Sequence, residues 1–157
     1  AHKGWHITEQ NIRDGFAAVQ WPGRFEVLGR HPVFLLDGSH NPQGMAATAD
    51  SLRELFPDQK FVFLLSVMAD KDVDGMLEIL APLADRFFTV NADNPRAMPA
   101  GELAEKLRAL GCAAECCTSI PEGVAAAQGA AGYDGRVCAL GTLYFSGDVR
   151  RAFEHSL

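Results

Sequence analysis

Residues 34–44 read FLLDGSHNPQG, and this stretch indicates how the rest of the chain is folded. An apolar run ends at Asp37, a small, turn-prone cluster comes next, and a helical pattern follows. This order is typical of a buried β-strand that passes through a short loop into a helix. The loop places an acid, a histidine and an asparagine directly at the carboxyl end of the strand.

The same alternation of strand and helix continues along the chain. The predicted strands are 24–28, 33–36, 60–66, 86–90, 113–117 and 136–140, and the predicted helices are 8–20, 45–56, 72–83, 100–110, 122–129 and 149–155. Strand 60–66 (KFVFLLS) is apolar on both faces, which is typical of parallel strands covered by helices. Right-handed crossovers then predict a Rossmann-like, doubly wound α/β domain, with a mainly parallel six-stranded sheet and helices on both faces.

Length and composition limit the class of protein. The 157 residues, 48% hydrophobic and 22% charged, predict one folded domain spanning 1–157, in which residues 1–6 are expected to be a linker or an expression remnant. The net charge of −6 argues against a nucleic-acid partner, because phosphate neutralisation needs a basic surface. No apolar run reaches the roughly 18 residues of a membrane span, so we expect no membrane partner.

The four cysteines predict a reducing compartment rather than a disulfide framework. Cys112, Cys116 and Cys117 crowd together, and we therefore expect a cytoplasmic protein. Their CxxxCC spacing is also compatible with a zinc site. However, Cys112, Ala114 and Cys116 alternate as strand residues do, and no histidine lies near them in the sequence. We therefore predict ordinary strand cysteines and no metal ligands in this chain.

Polar residues follow four of the predicted strands at their carboxyl ends, where doubly wound sheets bind ligands. The four loops are 37–41, 66–72, 91–96 and 141–144. Each has a structural alternative: Asp37 can begin a turn, Asn41 can cap a helix, and Lys71 can be a solvated surface charge. His40 fits such a role less well, because a helix dipole disfavours its charged form. The convergence of the loops, rather than any one of them, predicts a site.

Several catalytic motifs are absent from the sequence. It contains no GxxxxGK[ST] phosphate-binding loop, no GxGxxG after the first strand, no GxSxG and no HExxH. The chain therefore carries neither a phosphate cradle nor a nucleophile of a common type.

Five segments resemble, in order, motifs of the folylpolyglutamate synthase/dihydrofolate synthase family. They are WPGRFEV at 21–27, DGSHNPQG at 37–44 with serine in place of the family's alanine, MADKD at 68–72, NPRA at 94–97, and GTLY through DVR at 141–150. The resemblance extends over nearly the whole chain, but only to the C-terminal domain of that family. It implies a larger, two-domain ATP-dependent ligase whose P-loop lies in an absent N-terminal domain, so that the isolated chain is inactive.

The resemblance also implies a reaction and roles for individual residues. L-Glutamate is joined to dihydropteroate, or to the γ-carboxylate of a folate, through an acyl phosphate. ATP and Mg²⁺ are held mainly by the protein's own N-terminal P-loop domain, over which this chain closes to exclude water. The implied nucleotide contacts are Arg24 and Asp37, the implied catalytic residues are His40 and Lys71, and the implied substrate-binding residues are Asn41, Asp70, Arg96 and Thr142.

Two other functions remain open at this point. A non-catalytic, Rossmann-like module that binds a nucleotide or mediates association would explain the missing P-loop. A fragment of a peptidoglycan Mur ligase, acting on a UDP-linked sugar peptide, would share the fold. The combination of WPGR and DGSHNP favours the folate enzymes. A P-loop domain encoded directly upstream of Ala1 would distinguish a ligase from a module.

Overall fold

The computed structural model describes residues 4–19 and 21–156, which contain a six-stranded sheet. The strands are β1 (Glu26–Arg30), β2 (Val33–Leu36), β3 (Phe61–Leu65), β4 (Ala84–Thr89), β5 (Ala114–Cys116) and β6 (Arg136–Leu140). Their order across the sheet is β1-β2-β6-β3-β4-β5, and all neighbours are parallel except β1 and β2. The prediction of a mainly parallel, six-stranded sheet is confirmed.

Helices cover both faces of the sheet, as predicted. They are α1 (Glu9–Ala17), α2 (Pro42–Leu55), α3 (Val73–Leu80), α4 (Ala100–Ala109), α5 (Ile120–Ala131) and α6 (Ser146–Glu154). One core contains Leu52, Leu77 and Leu103 from α2, α3 and α4, whereas the opposite core contains Val124 and Val149 from α5 and α6. Among the described residues, no helix is both long and apolar enough to cross a lipid bilayer.

The position of β6 sets where a ligand can bind. Although β6 is last in the sequence, it lies between β2 and β3, and the helix that follows it packs on the face opposite α2 and α3. The connections that follow β2 and β3 therefore lead to one face of the sheet, whereas the connection that follows β6, between them, leads to the other face. Such a switch point opens a crevice between loops, and ligands of doubly wound folds bind there.

The first strand begins two residues later than the sequence predicts, at Glu26. Residues 23–25 form a tight loop instead, in which Gly23 has φ 73° and Phe25 has φ 45°. These positive φ angles lie outside the extended region, so a strand cannot start before them. Local propensity predicted a strand here, and tertiary hydrogen bonds to the loop decided otherwise.

Helix starts also differ from the predicted ones, because side-chain caps act before the apolar pattern begins. α2 starts at Pro42, after Asn41, whose Oδ1 accepts a hydrogen bond of 2.7 Å from the Gly44 N–H. Proline suits this first position, since its missing N–H would have no partner there. Ser119 caps α5 in the same way by accepting from the Glu122 N–H.

The first helix lies apart from the core. Thr8 and Asn11 form a reciprocal capping box at its start, yet none of its residues is buried. Ile12 and Phe16, which predicted this helix, are 49% and 76% exposed. The predicted end of this helix at residue 20, residues 1–3 of the predicted linker, and residue 157 lie outside the described residues.

Candidate functional site

The loops that follow β2, β3, β4 and β6 are joined by hydrogen bonds along one edge of the sheet. The Ser39 carbonyl accepts a bond of 3.0 Å from the Gly141 N–H, which links the β2 loop to the β6 loop. The Ala69 N–H donates over 2.8 Å to the Arg96 carbonyl, which links the β3 loop to the β4 loop. The structure therefore brings the four predicted loops to the same edge.

Asp37 lies at the centre of the β2 loop and is 5% exposed. Its Oδ2 accepts from the Phe25 N–H at 2.9 Å. Its Oδ1 accepts from the Ser39 N–H at 3.0 Å and from the Thr48 hydroxyl at 2.9 Å. Since a carboxylate has about four lone-pair positions, three are already used within the protein. The ribose contact predicted for Asp37 stays a prediction, and the structure gives this residue an internal bridging role as well.

A small pocket of about 330 Å³ adjoins Asp37. It is lined by Arg24, Ser39, His40, Asn41, Gln43, Gly44 and Ala47. Arg24 is exposed, and among the described residues its guanidinium has no hydrogen-bond or ion-pair partner. The pocket thus combines an available guanidinium, an imidazole and the start of α2, a set that suits an anionic group such as phosphate.

His40 has a defined orientation in this pocket. Its Nδ1 lies 2.8 Å from the Gly38 carbonyl oxygen, which can only accept a hydrogen bond. The ring must therefore carry a proton on Nδ1, and its Nε2 is left for a ligand. Asn41, by contrast, uses its side-chain oxygen to cap α2, and only its amide group remains for a substrate. The catalytic role of His40 and the substrate contact of Asn41 stay predictions.

A second polar cluster is formed by Asp70, Lys71, Arg96 and Tyr144. The Asp70 carboxylate lies 3.4 Å from Arg96 Nη1 and 3.8 Å from Lys71 Nζ. Arg96 Nη2 also donates to the Tyr144 hydroxyl at 3.2 Å, and the guanidinium lies 5.7 Å from the Tyr144 ring centroid. All four side chains are at least one-third exposed, so they form an accessible surface of two cations, one acid and one phenol.

Thr142 differs from the other predicted residues because it is 2% exposed. Its hydroxyl accepts from the Tyr144 N–H at 3.2 Å and caps a short 3₁₀ turn, Leu143–Phe145. This contact holds the turn that carries Tyr144. The predicted contact of Thr142 with a substrate is not tested by this geometry, and the observed hydrogen bond assigns the threonine a local structural role.

A larger cavity lies away from these residues. Its volume is about 840 Å³, and it opens between the start of α5, α6 and the β4 loop, next to Asp93 and Arg151. None of the eight predicted site residues lines it. Size therefore does not identify the site here, and we place the site where the predicted side chains converge.

No group of three or more histidine, cysteine, aspartate or glutamate side chains in residues 4–19 and 21–156 is arranged to hold a metal ion. Two of the cysteines are also poor ligands, since a metal binds the thiolate. Burial raises the pKa of Cys117 to about 11 and also raises the pKa of Cys112.

Sequence reasoning missed three residues that organise the site. Thr48 left a signal, because it is a polar residue on the buried face of α2, between Met45 and Ala49. Glu26 and Arg150 lie inside the segments WPGRFEV and DVR, but their pairing left no signal, since 124 positions separate them in the sequence. In the fold they form a hydrogen-bonded ion pair of 2.6 Å.

Comparison with known proteins points to one family. The sequence profile of the Mur ligase, glutamate ligase domain matches residues 23–143. A Mycobacterium tuberculosis dihydrofolate synthase/folylpolyglutamate synthase is 42% identical over 93 residues, which are 59% of this chain and 19% of that protein.

Solved structures agree over almost the whole chain. E. coli FolC in complex with DHPP and ADP superimposes with a TM-score of 0.84 at 25% identity, over 98% of this chain and 36% of that one. A bifunctional folylpolyglutamate synthase/dihydrofolate synthase with Mn, AMPPNP and L-glutamate bound has a TM-score of 0.83 at 26% identity, over 96% of this chain and 36% of that one. The chain thus spans about a third of the length of these solved relatives.

Proposed function

This chain belongs to the Mur ligase, glutamate ligase domain family, and from that premise we propose that it is the C-terminal part of an ATP-dependent folate–glutamate ligase. The reaction joins L-glutamate to dihydropteroate or to the γ-carboxylate of a folate. Phosphorylation activates the acceptor carboxylate, and the glutamate amine then displaces phosphate. Such chemistry needs charge neutralisation, alignment and exclusion of water, rather than a protein nucleophile.

The observation that carries this proposal is the pocket shared by Arg24 and His40. Arg24 is assigned to a nucleotide phosphate, because its exposed guanidinium has a planar fork of donors that suits phosphate oxygens. His40 is assigned to the reacting centre, where Nε2 is left to contact the substrate because Nδ1 is bonded to the Gly38 carbonyl. Asp37 holds the two loops that carry these side chains, and its one free lone-pair position is assigned to the ribose.

The cluster of Asp70, Lys71, Arg96 and Tyr144 is assigned to the incoming glutamate. Two cations within 4 Å of one acid form a surface that can receive the carboxylates of an amino acid while holding its amino group. Arg96 is the better ligand for a carboxylate, because its fork can bind both oxygens. A bifunctional folylpolyglutamate synthase/dihydrofolate synthase was solved with L-glutamate bound, which supports an amino-acid site in this family.

The partner that completes the site is proposed to be an N-terminal P-loop domain in the same polypeptide. Helix α1 and the segment around it expose Trp5, Ile7, Ile12, Phe16 and Trp21, each at least 49% accessible. A stretch of apolar side chains of this kind is typical of a protein interface rather than of a free surface. Because the chain spans about a third of its solved relatives, the rest of such a polypeptide is available to cover it.

Magnesium and most nucleotide contacts are assigned to that other domain. Mg²⁺ prefers carboxylate and phosphate oxygens, and the described part of this chain has no cluster of acids that fits it. Residues of this chain that fit the nucleotide are Arg24 and Asp37. The proposal places the ligase in the cytoplasm, where free thiols such as Cys116 persist.

The proposal is tested by comparing the 157-residue chain with the full-length gene product. With ATP, Mg²⁺, L-glutamate and either dihydropteroate or tetrahydrofolate, the full-length protein should release phosphate and form the amide product. The 157-residue chain should do neither. Ligation by the 157-residue chain alone, or a full-length protein that uses UDP-linked sugar peptides instead, would contradict the proposal.

A further inference from the structure

The backbone on both sides of Arg24 is held by carboxylates. The Gly23 N–H donates over 2.7 Å to Oε2 of Glu26, and the Phe25 N–H donates over 2.9 Å to Oδ2 of Asp37. The N–H of Arg24 itself donates to the Trp21 carbonyl at 3.1 Å. Three consecutive peptide groups are thus fixed, while the Arg24 side chain is left without a partner among the described residues.

This loop needs such restraint, because its conformation is unfavourable by itself. Phe25 has φ 45° and Gly23 has φ 73°, and a bulky residue such as phenylalanine rarely adopts the left-handed region. A strained backbone persists only when surrounding contacts hold it, and strain of this kind is concentrated at functional sites. Without its two carboxylate acceptors, the loop would relax toward the extended strand that the sequence predicts.

Glu26 is itself held by Arg150, which lies on α6. Arg150 Nη2 donates over 2.6 Å to Oε2 of Glu26, and Nε donates over 3.3 Å to Oε1. This two-point contact fixes the plane of the carboxylate, so Oε2 is directed at the Gly23 N–H. The Arg150 side chain is 29% exposed and the Glu26 side chain is 26% exposed, so solvent screens their charges only in part.

We propose that Glu26 and Arg150 are positioning residues for the reaction, and that they act through Arg24. Their ion pair holds the loop in the conformation that directs the Arg24 guanidinium toward the pocket it shares with His40. This inference rests on the proposed function, in which Arg24 binds a nucleotide phosphate. Loss of the pair leaves the arginine in place but frees its backbone, so it weakens nucleotide binding more than turnover.

The test is steady-state kinetics of the full-length ligase with ATP as the varied substrate. Glu26→Ala and Arg150→Ala should each raise KM for ATP about tenfold, because a side chain displaced by about 1 Å loses its contact. The kcat should change less than about twofold, which is the deviation expected when two effects are independent. Glu26→Gln, which keeps an acceptor for Gly23 but loses the ion pair, should have a smaller effect on KM.

A double-mutant cycle separates positioning from general destabilisation. In an Arg24→Ala background, Glu26→Ala should add less than about twofold to KM for ATP, since the residue it positions is absent. The matched control is Lys106→Ala, which breaks another tertiary ion pair, to Asp74 at 2.9 Å, and should leave KM for ATP unchanged. Melting temperatures of all variants show whether each one is folded.

The outcomes distinguish this inference from the proposed function. Two outcomes would overturn the positioning role alone, provided that Arg24→Ala raises KM for ATP. The first is a Glu26→Ala enzyme with unchanged KM for ATP. The second is a double variant whose KM rises by the full product of the two single effects. An Arg24→Ala enzyme with unchanged KM for ATP would overturn the phosphate role of Arg24 and the positioning role together.

Discussion

Gly141 is a position where a single added methyl group should damage this fold. It follows β6 with φ 112°, a conformation that residues with a side chain rarely adopt. A Cβ built at this position would lie 2.2 Å from the Ser66 carbonyl oxygen and 3.0 Å from Leu65 Cδ1. The first of these atoms belongs to the backbone at the end of a buried strand, so it cannot rotate away. Gly141→Ala must therefore move one of two loops that form the site.

The magnitude follows from two contributions. The positive φ angle costs an alanine about 1–3 kcal/mol. Relieving the contact with a fixed carbonyl requires a backbone shift, which costs about 1–3 kcal/mol in a well-packed region. We expect Gly141→Ala to lower the free energy of unfolding by about 4 kcal/mol, a large share of the about 5–15 kcal/mol that stabilises a typical domain. For a chain of this size, this corresponds to a melting temperature lower by about 8–16 °C.

The assay is urea unfolding of the 157-residue chain, followed by far-ultraviolet circular dichroism. Gly101→Ala is the matched control, because it adds the same methyl group in α4, where no atom outside the backbone of that helix lies within 4 Å of the new Cβ. It should stabilise the chain by about 0.5–1 kcal/mol, since alanine favours a helix. A Gly141→Ala protein that loses less than about 1 kcal/mol at an unchanged m value would refute the reasoning.

Three further predictions concern the site and the proposed interface. Thr48→Val removes the hydroxyl that donates to the buried Asp37 and should lower the free energy of unfolding in urea by about 1–3 kcal/mol. Thr48→Ser keeps the hydroxyl and should retain most of the stability of the parent. The hydrogen bond from Arg150 holds the pKa of Glu26 below its usual 4.5. Its stabilising contribution is therefore present above about pH 4.5 and lost as the pH falls through the lowered pKa. Melting temperatures measured across this range should fall less steeply for Glu26→Gln than for the parent, and equal slopes would exclude this origin. Phe16→Ser, at a side chain 76% exposed, should change the stability of the 157-residue chain by less than about 0.5 kcal/mol but should destabilise the full-length ligase. An equal loss in both would mean that α1 packs on this domain.

The sequence was sufficient to predict the elements that have a local signature. Strands 33–36 and 136–140 were predicted with their observed bounds, because a short, mostly apolar run between turn residues leaves few alternatives. The alternation of such strands with helical patterns predicted the doubly wound sheet. It also placed the DGSHNP loop at the edge where ligands bind, since the carboxyl ends of parallel strands share one edge.

Tertiary structure alone decided the roles of the side chains within that edge. Asp37 looked like a free ligand or a turn residue, whereas the fold buries it and satisfies it with three protein donors. The segment around Arg24 was predicted as a strand, yet the carboxylates of Glu26 and, from the β2 loop, Asp37 hold it in a loop with positive φ angles.

The amino-acid sequence by itself determined the fold class and the edge that carries the site. The three-dimensional packing determined the insertion of β6 between β2 and β3, and the ion pair between Glu26 and Arg150. The physical reason is the distance along the sequence between the residues that interact. Side-chain periodicity reports which face of one element is buried, and it is read from a few neighbouring residues. A hydrogen bond across 124 positions depends on where two elements finally pack, and it leaves no pattern along the chain.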